Sequence, residues 1–340
     1  MAAEGFRDLI DRKRLVQVAL GFLIAGAVIA LLAASVGLEE LRRVLAGAKL
    51  RWVAAGALST AICLVAWARA WQVVLDVIGI PVRFRRLVVT YYAATFANYV
   101  TPFGQAGGEP FIAYVLSRDT DASYEDSLAS VVTADLLNLF PFFSFAGIGF
   151  AALLYGSSLP ARVRPLALGL AAMAAGVPIL ALGVWRFRFR VGRAVLRLAA
   201  PLAGRTSRFG LDSLRERMRE LNTSFERIAT EPRALVRALF YSYVGWVFFA
   251  LPLYFAALAL ETPISLLLVF FIVPASTLAG LVPSPGGLGG VEAALLVLLV
   301  AVAGLSQPTA FGAALLYRVE SYAFALVAGG VGALWVLGRN

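Results

Sequence analysis

Residues 282–292 read VPSPGGLGGVE, a loop rich in proline and glycine that ends in the carboxylate of Glu292. It separates two strongly apolar stretches, so the interruption would lie at membrane depth if those stretches cross a bilayer. An irregular backbone is tolerated there only where protein covers it or where it lines a polar cavity. The loop therefore predicts a broken helix that borders a polar cavity.

The composition of the whole chain places it in a membrane. Its 340 residues are 61% hydrophobic and 15% charged, and the mean hydropathy is +0.83. A soluble domain has about 45–50% apolar and about 25% charged residues. Apolar runs of roughly 20 residues, enough to cross a hydrocarbon core of about 30 Å, recur along the sequence. We expect an all-α polytopic membrane protein with one transmembrane domain over residues 1–340.

The apolar runs fall into two classes. Six are long enough for full spans, and the first is too long for the apolar part of a signal peptide. These six runs cover 15–36, 52–78, 126–155, 163–185, 235–259 and 309–337. Proline and glycine interrupt two further runs, 86–117 and 264–304. We predict six full spans and two re-entrant, broken-helix hairpins, with eight or more full spans as the alternative.

The distribution of charge predicts the orientation. Residues 186–237 contain thirteen arginines and five acidic residues, so the positive-inside rule places this segment in the cytoplasm. The basic N-terminus and the C-terminus are expected on the same side. The membrane is expected to be the plasma membrane. An apolar stripe along the basic segment favours binding to an anionic membrane surface, although packing on the bundle is an equal alternative. No nucleic-acid partner is expected, since most of the net charge of +10 lies in this segment.

The two interrupted runs resemble each other. PFGQAGGE (102–109) and PSPGGLGGVE (283–292) share the order proline, glycine, paired glycines and acid. Entry from opposite membrane faces would make them an inverted repeat with a binding site near the midplane. Chance or a shared need for tight helix packing explains so short a match equally well. Amides freed at the half-helix ends would favour an anion such as a lipid phosphate.

Two longer motifs carry a family resemblance. They read NYVTPFGQAGGEPFIAYVLSR (98–118) and PSPGGLGGVEAALLVLLVAVAGLSQPTAFGAALLYRVESY (283–322). Together they resemble the flippase-like family, the transmembrane domain of lysylphosphatidylglycerol synthases and its stand-alone relatives, here without an aminoacyl-transferase domain. The resemblance implies movement of a polar-headed lipid between leaflets, with functional roles for Glu109, Glu292 and Arg318.

The candidate substrate-binding residues come from the two interrupted runs and from the Tyr-Arg pair that follows the second. They are Asn98, Pro102, Gly104, Gln105, Gly107, Gly108, Glu109, Arg118, Pro283, Pro285, Gly286, Gly287, Gly289, Glu292, Tyr317 and Arg318. Ionisable groups inside a membrane are costly and usually functional. For each there is also a structural role: Glu292 as a helix cap, Arg318 paired with Glu292 or Glu109, and Arg118 reaching the interface.

Other polar and aromatic side chains allow two interpretations. Asn98 and Gln105 are expected either to line the cavity or to form hydrogen bonds between helices. For Asp135 and Asn138 the packing role is favoured. Trp67 and its neighbour Trp71 are predicted to lie in an aromatic belt at the membrane interface.

Three function classes remain open. The chain has no histidine and one cysteine, Cys63, and no cofactor or metal is expected. We favour a carrier, not an enzyme, for a phospholipid or polyprenyl-type lipid. The alternatives are an intramembrane enzyme acting on a lipid-linked sugar or phosphate, and a structural or regulatory partner. Small-residue patterns near the C-terminus leave a homo-oligomer possible.

Overall fold

The computed structural model describes most of the chain. The described residues are 12–101, 109, 112–117, 122, 124–156, 172, 176, 179, 183, 186, 230–281 and 284–338. They contain helices and irregular segments but no strand. The protein is thus an all-α polytopic membrane protein, as the composition predicts.

Ten α-helices, numbered here in chain order, have defined bounds. They are α1 Arg12–Val36, α2 Leu38–Ala46, α3 Leu50–Ile78, α4 Phe84–Val100, α5 Tyr124–Gly156, α6 Pro232–Ala259, α7 Leu266–Leu278, α8 Gly290–Ala303, α9 Gln307–Arg318 and α10 Phe324–Gly338. The five residues Val319–Ala323 form a π-helical segment that joins α9 to α10 without a break.

Six of the described helical stretches are long and apolar enough to cross a membrane. They are Val18–Val36, Leu50–Ile78, Asp126–Ala151, Pro232–Ala259, Pro285–Ala303 and Gln307–Val336. Five of them correspond to predicted full spans. The sixth belongs to the second interrupted run, and the span predicted at 163–185 lies almost entirely outside the described residues, as does most of segment 186–237.

The second interrupted run folds as two short helices around the Pro-Gly loop. Helix α7 has 13 residues and α8 has 14, so each by itself is about 20 Å long, shorter than a hydrocarbon core of about 30 Å. Helix α8 reaches the 19 residues of Pro285–Ala303 only together with the 3₁₀ turn that precedes it. Two 3₁₀ turns, Ala279–Leu281 and Pro285–Gly287, separate them. The helices pack against each other, and Val269, Phe271 and Leu295 are buried in their shared core. This is the geometry that a broken-helix hairpin requires.

The first interrupted run is broken at the equivalent place. Helix α4 ends at Val100, and the chain is helical again over 112–117. Leu87 of α4 packs in one cluster with Ile112 and Leu116, so the two arms lie together. Most of its loop, 102–108, is outside the described residues, and the inverted relation of the two hairpins stays a prediction.

Two further pairs of helices pack side by side. Helix α3 packs along α6, and α4 packs along α10. At one end of the first pair, the Lys49 amide donates to the Ala259 carbonyl, and the Lys49 ammonium bonds the Glu261 carboxylate. That hydrogen bond and the ammonium charge lower the pKa of Glu261, an exposed group in a loop. The contacts tie the start of α3 to the end of α6.

Helix α5 and helix α7 approach each other through a glycine, which gives a stability prediction. A Cβ at Gly149 would lie 2.6 Å from the backbone nitrogen of Phe271, whereas a Cβ at Gly147, two residues earlier, would meet nothing within 4 Å. Gly149→Ala should therefore lower the stability by about 1–3 kcal/mol through overpacking. Gly147→Ala should be neutral or stabilising by about 0.5–1 kcal/mol, because alanine favours helix. Thermal unfolding in detergent tests both, and equal shifts in Tm would contradict this packing.

Candidate functional site

The Pro-Gly loop has a backbone that favours glycine at three positions. Gly286, Gly287 and Gly289 have φ values of +56°, +68° and +85°, a region that L side chains rarely adopt. A Cβ at Gly287 would also lie 2.7 Å from the Cα of Gly280. The glycines thus allow a tight reversal that leads directly into the N-terminus of α8.

Glu292 in the first turn of α8 makes two bonds at once. Its side chain is 1% exposed. Oε2 accepts a hydrogen bond from the Gly289 amide at 2.6 Å, and Oε1 accepts one from Arg318 Nε at 2.7 Å. Glu292 is therefore both the helix cap and the partner of Arg318. The expectation that the half-helix amides are free for an anion needs correction, because the chain's own carboxylate already occupies the Gly289 amide.

Arg318, at the C-terminal end of α9, is held on three sides. Besides Glu292, its Nη2 donates to the Gly286 carbonyl at 2.8 Å. Its guanidinium lies over the Tyr322 ring, 4.4 Å from the ring centroid, a cation–π arrangement. A guanidinium has five N–H donors, and the bonds to Glu292 and Gly286 use two of them. The geometry fixes the plane of the guanidinium while further donors are available to an anion.

A crevice of about 550 Å³, here called the Arg318 crevice, opens beside this ion pair. Thirteen described residues line it, and Glu292 and Arg318 are the charged ones among them. The apolar lining comes from α1, α2, α3, α9 and the loop: Ile29, Leu45, Val53, Leu288, Leu315 and Leu316 are examples. Leu50 and Val319, also in the lining, are 78% and 51% exposed, so the crevice reaches the surface. The crevice thus has an apolar lining with a single ion pair in it.

Glu320, two residues after Arg318, lies in a different environment. It is 0% exposed, and neither carboxyl oxygen has a hydrogen-bond partner in the part of the chain that the structure describes. A Cβ at Gly56 on α3 would lie 1.8 Å from its Oε2, so glycine provides the space for this carboxyl. The π-helical segment that contains Glu320 is a local irregularity of a kind frequent at functional sites.

Glu109 does not join Arg318. Its carboxyl lies near that of Asp135 on α5. Both line a second, smaller cavity of about 60 Å³, here called the Asp135 cavity, between α3, α4, α5 and α6. Asn98 also lines it. The three residues that the resemblance singled out are therefore divided between two places.

The remaining predicted residues have varied positions. Pro285 packs against α1, where a Cβ at Gly21 would lie 2.9 Å from its ring. Tyr317 is 2% exposed and belongs to the core around α7 and α8. Seven candidates lie outside the described residues: Pro102, Gly104, Gln105, Gly107, Gly108, Arg118 and Pro283.

Two predictions for polar and aromatic side chains can be compared with the fold. Asn138 joins helices as expected, since its side chain accepts from Ser242 and its carbonyl accepts from Trp246. The prediction of an interfacial position was wrong for Trp71, which is 2% exposed and lines the Asp135 cavity. It is buried because α4, α5 and α6 surround this part of α3.

Sequence reasoning did not identify Tyr322 as a site residue. Its ring stacks on Tyr99 with centroids 4.8 Å apart, and its hydroxyl donates to the Tyr99 carbonyl at 3.3 Å. It therefore connects the end of α4 with Arg318 and the Pro-Gly loop. Its position four residues after Arg318, on the same helical face, is the one sequence signal that pointed to it.

Within the described part of the chain, no group of three or more Cys, Asp and Glu side chains could hold a metal ion.

Two comparisons with known proteins show what the chain is similar to. A UPF0104 membrane protein of Pyrococcus horikoshii is 26% identical over 305 residues, covering 87% of this chain and 90% of the relative. A UPF0104 membrane protein of Methanothermobacter thermautotrophicus is 27% identical over 331 residues, covering 94% and 93%. The family described as the lysylphosphatidylglycerol synthase TM region matches residues 18–329. The chain is thus a multi-pass membrane protein that belongs to the lysylphosphatidylglycerol synthase TM region family.

Proposed function

We propose that the protein moves a lipid with a phosphate-containing polar headgroup between the two leaflets of a membrane. The observation that carries this proposal is the Arg318 crevice, an open apolar crevice that contains the mostly buried guanidinium of Arg318. An acyl or polyprenyl chain matches the apolar lining, and the headgroup matches the charged end. The family, named for the membrane region of a phospholipid synthase, supports a lipid cargo.

The size of the crevice supports a ligand of this class. Small-molecule sites commonly enclose about 300–1,000 Å³ and have a mostly apolar lining with a few fixed polar groups. The Arg318 crevice has about 550 Å³ with one ion pair. The volume accommodates a headgroup and the first part of its chains, while the remainder of the lipid extends through the open side.

The chemistry of Arg318 supports an anionic headgroup. Arginine binds phosphate in a planar, two-pronged geometry that lysine cannot reproduce. The Tyr322 ring and Glu292 hold the guanidinium in place before a ligand arrives, which lowers the entropy cost of binding. A headgroup phosphate would compete with the Glu292 carboxylate for Arg318. Binding and release of the lipid would therefore each exchange one anion at the guanidinium for the other.

The orientation follows from the distribution of arginine. We place the chain in the cytoplasmic membrane with both termini in the cytoplasm, because the basic residues cluster near the N-terminus and in segment 186–237. The same segment is suited to anionic lipid headgroups at that face. Rocking of the two broken hairpins around the site would expose it to each leaflet alternately.

Leaflet exchange in proteoliposomes tests the proposal. The probes are labelled lipids that share acyl chains but carry an anionic phosphate headgroup, a zwitterionic phosphate headgroup or a neutral sugar headgroup. We expect exchange of at least one phosphate-containing class, at a rate well above that of protein-free vesicles, and none of the sugar class. Exchange of no class by the folded protein, or of the sugar class alone, would overturn the proposal.

A steric variant locates the path. Ala323→Phe adds a ring inside the Arg318 crevice and should reduce exchange at least tenfold. The matched control is Val327→Phe, one turn further along α10, where the side chain is 70% exposed and outside the crevice lining. We expect it to retain exchange. Equal rates in the two variants would place the lipid path elsewhere.

A further inference from the structure

The Asp135 cavity is distinct from the Arg318 crevice and has its own chemistry. None of its lining residues also lines the crevice. Its volume of about 60 Å³ is enough for a few water molecules, each of which needs at least about 10–15 Å³. Polar side chains reach it from four elements: Asn98 of α4, Glu109, Asp135 of α5, and Ser242 of α6. It is therefore a buried polar space of the size of a small water cluster.

Three polar atoms on side chains that line this cavity have no partner among the described residues. The indole N–H groups of Trp67 and Trp71 have no hydrogen-bond acceptor there, and Asn98 Oδ1 has no donor. Buried polar groups are nearly always satisfied by protein or by ordered water. A donor and an acceptor left open beside the same cavity point to bound water, which can donate and accept protons.

The two carboxyl groups in the cavity are suited to hold one proton between them. Glu109 and Asp135 line the same space of about 60 Å³. A carboxyl that carries its proton can donate to the other, whereas an ionised carboxylate accepts hydrogen bonds only. Two ionised carboxylates so close together would instead repel strongly in a medium of low dielectric constant.

No basic group among the described residues competes for these carboxyls. The titratable groups that line the cavity are Glu109, Asp135 and the phenol of Tyr91 on α4. The lining residues contributed by α3 and α6 are not titratable. Arg69 of α3, bonded to Gln72, is not in the lining, and neither is the exposed Arg237 of α6. Among the described residues the pair thus has no basic partner, and a proton shared by the two carboxyls would remove the repulsion between them.

We infer that the Glu109–Asp135 pair is the proton-binding site that couples lipid movement to a proton gradient. The inference rests on the proposed function. A proton from water on one side binds the pair and draws the first hairpin towards α5. Its release to water on the other side leaves two carboxylates that repel each other and separate the same two elements. The protonation state thus biases a two-state arrangement of the hairpin.

A direct contact links this movement to the lipid site. Asn98 lines the Asp135 cavity, and the next residue, Tyr99, stacks on Tyr322 in the lining of the Arg318 crevice. Tyr322 in turn lies against Arg318. A displacement of the end of α4 therefore changes the support of the guanidinium that would hold the headgroup, so each site affects the affinity of the other.

The test uses Asp135→Asn, which keeps the size of the side chain and can still bond to Glu109. In proteoliposomes with an imposed pH gradient, the unmodified chain should move the labelled phosphate lipid directionally, and reversal of the gradient should reverse the direction. Asp135→Asn should lose this response, so that lipid movement is the same with either direction of the gradient. Asp126→Asn, an exposed acid on the same helix α5, is the matched control and should respond like the unmodified chain.

A second measurement separates this inference from the proposed function. Infrared spectroscopy of the detergent-solubilised protein should show a protonated carboxyl band that Asp135→Asn removes and Asp126→Asn retains. If the band is present and no lipid exchanges, the lipid proposal fails while proton binding stands. An unchanged band in Asp135→Asn, or gradient-driven movement that persists in it, would overturn the proton site.

Discussion

Arg318→Ala is expected to destabilise the protein by about 3–5 kcal/mol, the usual cost of removing one partner of a buried ion pair. The loss is large because Glu292, 1% exposed, would keep its charge with only the Gly289 amide as a described partner. Leaflet exchange should be lost as well. Thermal unfolding in detergent, with exchange measured on the folded fraction, follows both effects.

A neutral double variant distinguishes a structural pair from a headgroup site. Glu292→Gln with Arg318→Gln removes both charges together, keeps an oxygen for the Gly289 amide, and allows the two side chains to bond to each other. Replacing both members of a buried pair is often nearly neutral for stability. We expect Tm to return close to that of the unmodified chain while exchange remains absent. Recovery of exchange together with stability would show that the pair serves the fold alone.

Gly286→Ala is expected to have the second largest effect. The backbone there has φ +56°, which costs an L residue about 1–2 kcal/mol. Its Cβ would lie 2.1 Å from Cε2 of Tyr322, and the forced displacement adds about 1–3 kcal/mol. Since the Tyr322 ring supports Arg318, exchange should fall together with stability.

Gly304→Ala is the matched control for the backbone contribution. Gly304 has φ +69°, and its Cβ would meet nothing within 4 Å. Gly304→Ala should lose only the stability that a positive φ costs an alanine, and it should retain exchange. Adding Tyr322→Ala to Gly286→Ala should restore part of the lost Tm by removing the collision. A similar loss in both single variants, with no gain in the double variant, would contradict the contact with Tyr322.

The parts of the fold that depend on local chemistry were predictable from the sequence. Apolar length indicated the membrane helices, and the prolines and glycines indicated where α7 and α8 are separated. That Arg318 pairs with an acid of one of the two glycine-rich motifs followed from the cost of an isolated charge inside a membrane, although the sequence left Glu109 and Glu292 as alternatives. In these cases the cause lies within one segment or in a pair that has few alternatives.

The division of the site into two places was not predictable. Glu109 and Glu292 follow similar glycine-rich motifs, yet Glu109 shares a cavity with Asp135 whereas Glu292 bonds to Arg318. The difference depends on which helices surround each hairpin, and this is a property of the packed bundle. The burial of Trp71 has the same origin, because the sequence of α3 alone does not show that three helices cover it.

The π-helical segment Val319–Ala323 changes how the last span relates to its sequence. Each extra residue accommodated in a helix rotates all later side chains by about 100° around the axis. A stripe of residues that follows one face of α9 therefore continues on a different face of α10. Helical-wheel analysis of 307–338 as one uniform helix would assign lipid-facing positions to the interior. For designed substitutions in α10, the helical positions should therefore be counted anew from Phe324.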